Sequence, residues 1–431
     1  MTEQVRPTGF DFGALRRFPD VEAPNLFASD ASDRLILDEA AAALEGLDGG
    51  GLAGHDDGGL AGVDDAGLAG ADGGGLTGLD GAGLAGLDGG GLVVVGDRYG
   101  ALTLAAAALY GVRGIRVHQD ALASELALRN NARLVLRSGA QQQLGSGTPV
   151  FRQLPLGEEL LAGARVVLWQ LPRSLDELAE VAEQIARFAD AGVTVFAGGR
   201  VKHMSTSMNG VLEQYFGSVR AGLARQKSRV LTVAEPLRPT GPPRFPVREF
   251  NDELGLWLCA HGATFSSTSL DIGTRYLLEF LDQMLPDAAS AVDLGCGSGV
   301  IAAALAAARP RLLVTATDQS AAAVASAAAT ADANGLSDRI TAVRDDAMSS
   351  FPAASTDLIL LNPPFHIGAS VHAGAALKLF DAAARVLAPE GELWTVFNNH
   401  LDYRGQLERR VGPTTVRGRN AKFTVAVSVR R

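Results

Sequence analysis

Cysteine is nearly absent from this chain: there are two in 431 residues, Cys259 and Cys296. That excludes a disulfide framework and suits a reducing cytosol. Also missing are an apolar span of about eighteen residues and a basic-then-apolar leader. Neither a membrane helix nor export is therefore expected, and a cytoplasmic location is. The seven histidines stand at no metal-ligand spacing to cysteine or carboxylate, so no metal is expected. Positive charge is in deficit too, with a formal net charge of −10. That balance looks wrong for a nucleic-acid partner until its distribution is mapped. Residues 44–91 hold eight Asp, one Glu and no Lys or Arg, which accounts for nine of the negative charges. The remainder is close to neutral, and two stretches are basic. Residues 200–248 carry nine Lys or Arg against two Glu, and residues 401–431 carry eight against two acids. Such runs suit phosphate contacts.

What is present begins with length: 431 residues, 47% of them hydrophobic, exceed one ordinary domain and predict two full cores. The most informative stretch is Asp357-Leu358-Ile359-Leu360-Leu361-Asn362-Pro363-Pro364-Phe365. An apolar strand stops there at a rigid, polar lip, because each proline fixes φ and removes a backbone donor. An exposed amide oxygen, an exposed carbonyl and an aromatic face suit a flat ring bearing an exocyclic NH2. The amine donates to the two oxygens while the ring stacks on Phe365.

Upstream, Ala291-Val292-Asp293-Leu294-Gly295-Cys296-Gly297-Ser298-Gly299-Val300 reads as strand, glycine turn and helix. Its glycines let backbone pass close to a ligand at the carboxyl edge of a parallel sheet. The spacing is not that of a dinucleotide turn. The next strand, Leu312 to Thr317, ends in Asp318, whose carboxylate can accept both hydroxyls of a ribose. A third, Ile340 to Arg344, ends in Asp345-Asp346, placed to accept an adenine amine. Asp346 is the first choice for that role and Asp345 the second.

With these residues in order, 262–431 resemble class I S-adenosylmethionine-dependent methyltransferases, and more narrowly the bacterial ribosomal RNA guanine-N2 methyltransferases. The narrower match rests on Phe265-Ser266, Leu270-Asp271-Ile272-Gly273-Thr274-Arg275 and Asn362-Pro363-Pro364-Phe365-His366. Leu393-Trp394-Thr395-Val396, Asn398-Asn399-His400-Leu401 and Asn420-Ala421-Lys422-Phe423 add to it. Asn399 stands where the family commonly has arginine, so a basic contact is missing there. The resemblance implies S-adenosylmethionine as cofactor. Its methionine end would be held by Asp293, Gly295, Gly297 and Gly299, its ribose by Asp318 and its adenine by Asp346, with Asn362 at the same wall. It implies Asn362, Pro363 and Phe365 as the catalytic set, and Pro364, Phe365, His366 and Lys422 as substrate contacts. Ser298 and Cys296 read as small turn fillers, since no base stands beside the cysteine.

The first half echoes the second. Leu92-Val93-Val94-Val95-Gly96-Asp97-Arg98-Tyr99-Gly100 stands where the glycine turn stands later. Gly96 precedes Asp120 by 24 residues and Gly295 precedes Asp318 by 23, which makes Asp120 the counterpart of Asp318. Arg165 to Pro172 takes the place of the Asn-Pro-Pro strand, and Val193 to Phe196 answers Trp394 to Phe397. Gly217 and Lys227 match Gly412 and Lys422. The expected fold is α/β, two tandem Rossmann-like units with seven-stranded, mostly parallel sheets and an antiparallel last hairpin. Residues 1–240 form a degenerate copy for substrate recognition and 241–431 the catalytic copy, joined through Pro236 to Pro246. Charged and bulky side chains in its turn, and Gln170-Leu171-Pro172 in place of the lip, predict that the first copy binds cofactor poorly or not at all. Its His203 reads as a structural or RNA-backbone contact.

Within the first copy, leucines recur every eighth residue from Leu44 to Leu92, and aspartates from Asp48 to Asp88. Gly/Asp repeats of similar length bind calcium as β-rolls. The pattern reads more simply as an expanded acidic loop with too little apolar surface to fold alone. The expected activity is N2 methylation of a guanine in ribosomal RNA, with small-subunit RNA placed slightly ahead of large-subunit RNA. The expected partner is ribosomal RNA or a subunit, and the expected state a monomer. Methylation of adenine N6 or of a protein glutamine stays open, as does a non-catalytic RNA-binding assembly factor.

Overall fold

The computed structural model describes residues 9–48, 91–137, 149–364 and 369–431. The first copy contains seven strands: β1 (Leu92–Val95), β2 (Ile115–His118), β3 (Phe151–Gln153), β4 (Val166–Gln170), β5 (Thr194–Arg200), β6 (Phe216–Ala221) and β7 (Ser228–Pro236). A two-stranded hairpin follows, β8 (Val247–Asn251) and β9 (Leu256–Ala260). The second copy has β10 (Ser290–Leu294), β11 (Leu313–Asp318), β12 (Ile340–Arg344), β13 (Thr356–Leu361), β14 (Leu387–Asn398), β15 (Thr414–Arg419) and β16 (Phe423–Val429).

The two large sheets have the same order, β3-β2-β1-β4-β5-β7-β6 and β12-β11-β10-β13-β14-β16-β15. In each, the pairings are parallel except those made by the last two strands. Central strands such as Leu92–Val95 are buried along their length, as apolar runs covered by helices on both faces must be. Leu358 and Leu360 fill the core on one face of the second sheet, and Ile359 and Leu361 the core on the other. Alternation along β13 thus anchors the Asn-Pro-Pro lip from two sides.

Strand register corrects two of the sequence correspondences. Val95 pairs with His118 as Leu294 pairs with Thr317, and Gly96 N donates to His118 O as Gly295 N does to Thr317 O. The residue equivalent to Asp318 is therefore Gln119, and Asp120 is equivalent to Gln319. A turn that differs in length by nothing was counted one residue too long, because Asp120 offered the only nearby acid. Likewise Leu168 pairs with Phe196 and Leu360 with Trp394, so Phe196 answers Trp394 rather than Phe397.

The hairpin β8–β9 lies on the helix Ala321–Ala333. Cys259 N donates to Thr330 Oγ1 at 2.9 Å and His261 N to Ser326 Oγ at 2.8 Å. Just beyond, Gly262 lies against the first copy, its N–H donating to Glu180 Oε2 at 2.7 Å. No Cβ fits at Gly262, since it would run into the backbone of Asp176.

Candidate active site

The carboxyl edge of the second sheet opens into a cavity of about 380 Å³. Its wall is built from the ends of four strands, as a parallel sheet with a topological switch point provides. After β10 the chain turns through Gly295, Gly297 and Gly299, all at positive φ. At Gly299 a Cβ would also sit 2.7 Å from Ala327 Cα, so that glycine lets two helices pack. The same turn in the first copy uses Gly96, Arg98 and Gly100 at positive φ. Arg98 takes the left-handed conformation where the second copy has Gly297, and the Tyr99 hydroxyl donates to Asp20.

Asp293 is fully buried and sits behind the turn, not in the cavity wall. Its Oδ2 accepts from Ala302 N at 3.0 Å, and Oδ1 has no partner. Burial raises its pKa to about 7, opposed by the Ala302 bond and reinforced by the charge of Asp318. Asp318 itself lines the cavity. It accepts from Ser320 N at 3.0 Å and Gly297 N at 3.3 Å, and burial raises its pKa against those two bonds. The Cys296 thiol is pushed well up by burial and then by Asp293 and Asp318, which keeps it protonated and unreactive.

The two acids after β12 divide their work. Asp345 accepts from Ser349 N and Oγ at 2.6 and 2.8 Å and from Ser350 N at 2.9 Å. Burial acts to raise its pKa, but these serine bonds outweigh that and lower it. Its lone pairs are spent on its own turn. Asp346 faces the cavity paired with Lys378 Nζ at 2.5 Å, with acceptor capacity left over. Nothing in the sequence linked Lys378, 32 residues on, to this corner.

At the lip, Asn362 Nδ2 donates to Asp271 Oδ2 at 3.0 Å and Thr274 Oγ1 at 2.9 Å. Asp271 caps the helix Ile272–Leu278, accepting from Gly273 N and Thr274 N. A carboxylate accepts only, so it fixes which end of the amide faces it. The Asn362 Oδ1 is thereby turned away, buried and without a partner. In the first copy Gln170 holds the equivalent place: Trp169 pairs with Val95 as Leu361 pairs with Leu294. There Gln170 Nε2 donates to Asp33, and its Oε1 accepts from Ser32 Oγ at 3.2 Å. Both ends of that amide are satisfied internally, whereas the second copy keeps one acceptor free.

Pro363 and Pro364 line the cavity with Asn362; Phe365 and His366 lie outside the described residues. Phe265 also lines the cavity and is 62% exposed, held by a turn in which Ser266 and Ser267 have positive φ. Sequence reading used Phe265 only for likeness and missed it as a contact. Lys422 stands exposed on the β15–β16 turn, not in the cavity wall. Asn399 pins that turn, donating to Asn420 O at 2.8 Å and accepting from Thr424 Oγ1 at 2.7 Å. In the first copy, His203 is exposed beside Arg173. Slight burial, then Arg173, Lys202, Arg98 and Arg200, lowers its pKa. Among the described residues no group of three or more His, Cys, Asp or Glu could hold a metal ion. No helix among them is long and apolar enough to cross a membrane.

The cavity fits a nucleoside bearing a charged tail. Open space lies where Gly295 and Gly297 would carry a Cβ, two carboxylates stand at successive strand ends, and Asn362 in the wall has an amide oxygen without a protein partner. Comparison with known proteins agrees with this construction. The Methyltransferase small domain family matches residues 255–427, and the RLMG N-terminal domain family matches residues 80–237. A Streptomyces avermitilis protein named ribosomal RNA large subunit methyltransferase G is 34% identical over 427 residues, covering 97% of each chain. A Pseudomonas paraeruginosa protein of the same name is 35% identical over 334 residues, 77% of this chain and 86% of that one. Among solved structures, a T. thermophilus 16S rRNA N2 methyltransferase in complex with AdoMet and guanosine superposes with a TM-score of 0.62. It is 20% identical and covers 79% of this chain and 88% of that one.

Proposed function

Because the chain belongs to the ribosomal RNA large subunit methyltransferase G family, we propose that it methylates the exocyclic N2 amine of a guanine in large-subunit ribosomal RNA. The expectation of small-subunit RNA gains no support from the relatives, which are named for the large subunit. The observation that carries the chemistry is Asn362 in the cavity wall, its Nδ2 fixed by Asp271 and Thr274 so that Oδ1 is left without a protein partner. S-adenosylmethionine, when bound, supplies a methyl group on a positively charged sulfonium. Asp318 would hold its ribose and Asp346 its adenine, while Asp293 holds the turn of Gly295, Gly297 and Gly299 from behind.

A guanine amine is a poor nucleophile because its lone pair is delocalised into the ring. Asn362 Oδ1 and the Pro363 carbonyl accept its two hydrogens, favour a pyramidal nitrogen and stabilise the positive charge that develops there. Most of the rate would then come from positioning and preorganised electrostatics. The methyl's bond to sulfur breaks as its bond to N2 forms, and the neutral thioether leaves. The methylated amine, strongly acidic while cationic, gives its extra proton to water without a general base. A paired guanine must leave its stack to reach the cavity. Phe265 and Pro364 in the cavity wall are placed to receive it, and the motif adds Phe365 and His366 as proposed substrate contacts. Lys422 and the basic edge of the first copy at Arg173, Arg200 and Lys202 suit the RNA backbone. Residues 1–240 would thus recognise substrate and residues 241–431 carry out transfer.

The test is nucleoside mass spectrometry of both ribosomal RNAs from a deletion strain, with purified protein added back to its subunits. Loss and restoration of one N2-methylguanosine in large-subunit RNA is the expected result. A lost N6-methyladenosine, a lost mark in small-subunit RNA or an unchanged RNA would refute the proposal.

A further inference from the structure

The second strand of the first copy ends against the corner of the other copy that carries Asp318. Ala121 and Ser320 form an antiparallel bridge, and by strand register they are equivalent positions of the two copies. Leu122 N donates to Gln319 O and Ala321 N to Asp120 O, both at 2.9 Å. The symmetry then breaks. The Asp120 side chain reaches past the bridge, and its Oδ1 accepts from Ala322 N at 2.9 Å. Ala322 lies in the first turn of the helix Ala321–Ala333, where amides lack intrahelical partners. The helix that starts behind Asp318 is therefore capped in part from a different domain.

Arg344 closes the same corner from the adenine side. It is the last residue of β12, just before Asp345 and Asp346. Its Nε donates to Gln319 O at 3.2 Å, and its Nη2 to Gln119 O at 3.0 Å and Asp120 O at 2.8 Å. Its Nη1 pairs with Glu125 Oε1 at 2.6 Å, and both side chains are largely buried. Five residues, Asp318 to Ala322, thus hang between the cofactor cavity on one side and Asp120, Leu122 and Arg344 on the other. Nothing else described here binds Ala322 N or Gln319 O in that turn.

We propose that Asp120 is a positioning residue for the cofactor, and that with Arg344 it makes the degenerate copy a structural half of the ribose site. The identity of the ligand rests on the function proposed above. Asp120 touches no cofactor atom; it sets where Asp318 points by holding the turn that follows it.

The experiment is calorimetric titration of full-length protein with S-adenosylmethionine and with S-adenosylhomocysteine, alongside melting temperature. Asp120→Ala removes the acceptor and is expected to weaken both ligands by about tenfold. Asp120→Asn keeps an oxygen for Ala322 N and should recover most of that loss. The discriminating readout is a double-mutant cycle: in an Asp318→Ala background, Asp120→Ala should cost roughly nothing more, because both act through one group. Turnover should show a raised KM for the cofactor with kcat retained at saturation. Should Asp120→Ala fail to fold, Arg344→Gln carries the test, with an expected loss of about three- to fivefold. Unchanged affinity in these variants, or losses that multiply in the double variant, would overturn the proposal. Wild-type protein that binds cofactor but methylates no ribosomal RNA would refute the acceptor reading and leave this inference standing.

Discussion

Replacing Asn362 by alanine separates holding the cofactor from using it. The side chain makes two hydrogen bonds, to Asp271 Oδ2 and Thr274 Oγ1. Their loss costs about 1–3 kcal/mol of stability, since a typical net contribution is 0.5–1.5 kcal/mol each. Asp271 also remains bonded to Gly273 N and Thr274 N, so the helix cap survives. The catalytic cost is larger. Removing one preorganised group aimed at developing charge costs on the order of 2.7–4 kcal/mol, or 10²–10³ in rate. Single-turnover transfer to large-subunit RNA or subunits should therefore fall by about that factor. Calorimetric affinity for S-adenosylmethionine should change by no more than about threefold. A variant that methylates at near wild-type rate would refute the role assigned to the free Oδ1. A variant that loses cofactor affinity as steeply as rate would show that Asn362 belongs to cofactor binding instead.

Asp318→Ala should weaken cofactor binding tenfold or more by calorimetry, since charge-assisted hydrogen bonds contribute about 1.5–3 kcal/mol; equal affinity would remove the ribose assignment. Phe265→Ala should cost about 1–3 kcal/mol of base stacking, read as a raised KM for RNA with cofactor affinity intact. Asp97 and Asp293 both have pKa values raised by burial from 3.8 to about 7. Each holds its proton in the folded protein where the unfolded chain has lost it. Their stabilising protonation is therefore complete below about pH 4 and lost as pH rises through about 7. Cofactor-free protein should melt lower at pH 8 than at pH 6, and Asp97→Asn should remove only part of that slope, since burial raises Glu177 to about 7 as well. A melting temperature flat across this interval would contradict the assigned burial.

Local sequence carried the strands that build the site, because four strands of the second copy are runs ending in residues of distinct chemistry. Duplication was legible for the same reason, and the shared strand order bears it out. Register was not, because equivalence had to be guessed from residue type. Asp120 was matched to Asp318 as the nearest acid, while the ladder puts Gln119 there. Side chains that set the site from afar were also invisible. Asp271 and Thr274 precede Asn362 by 91 and 88 residues, and no periodicity connects a helix cap to a strand end that far away. The order of the strand ends pointed to Asp345-Asp346 as a pair and could not choose between them. A ground for preferring Asp346, the serines that occupy Asp345, comes only from the folded turn.

The paired copies separate what a fold requires from what a reaction requires. Both keep a buried strand, a turn with three positive-φ positions and a buried acid accepting from the first turn of the next helix. Asp97 accepts from Leu102 N and Thr103 N in one, and Asp293 from Ala302 N in the other. Those features recur because the backbone needs them whether or not a ligand binds. The copies differ in which groups stand at the strand ends. In the first, Gln119 takes the place of the ribose acid, with its own buried Oε1 unpaired, and Gln170 has partners at both ends of its amide. In the second, Asp318 and Asn362 line the cavity, and Asn362 keeps one amide oxygen without a protein partner. Unpaired buried oxygens occur in both copies, so it is the chemistry at these two strand ends that separates them: a carboxylate and a short amide in the second copy, glutamine at both positions in the first.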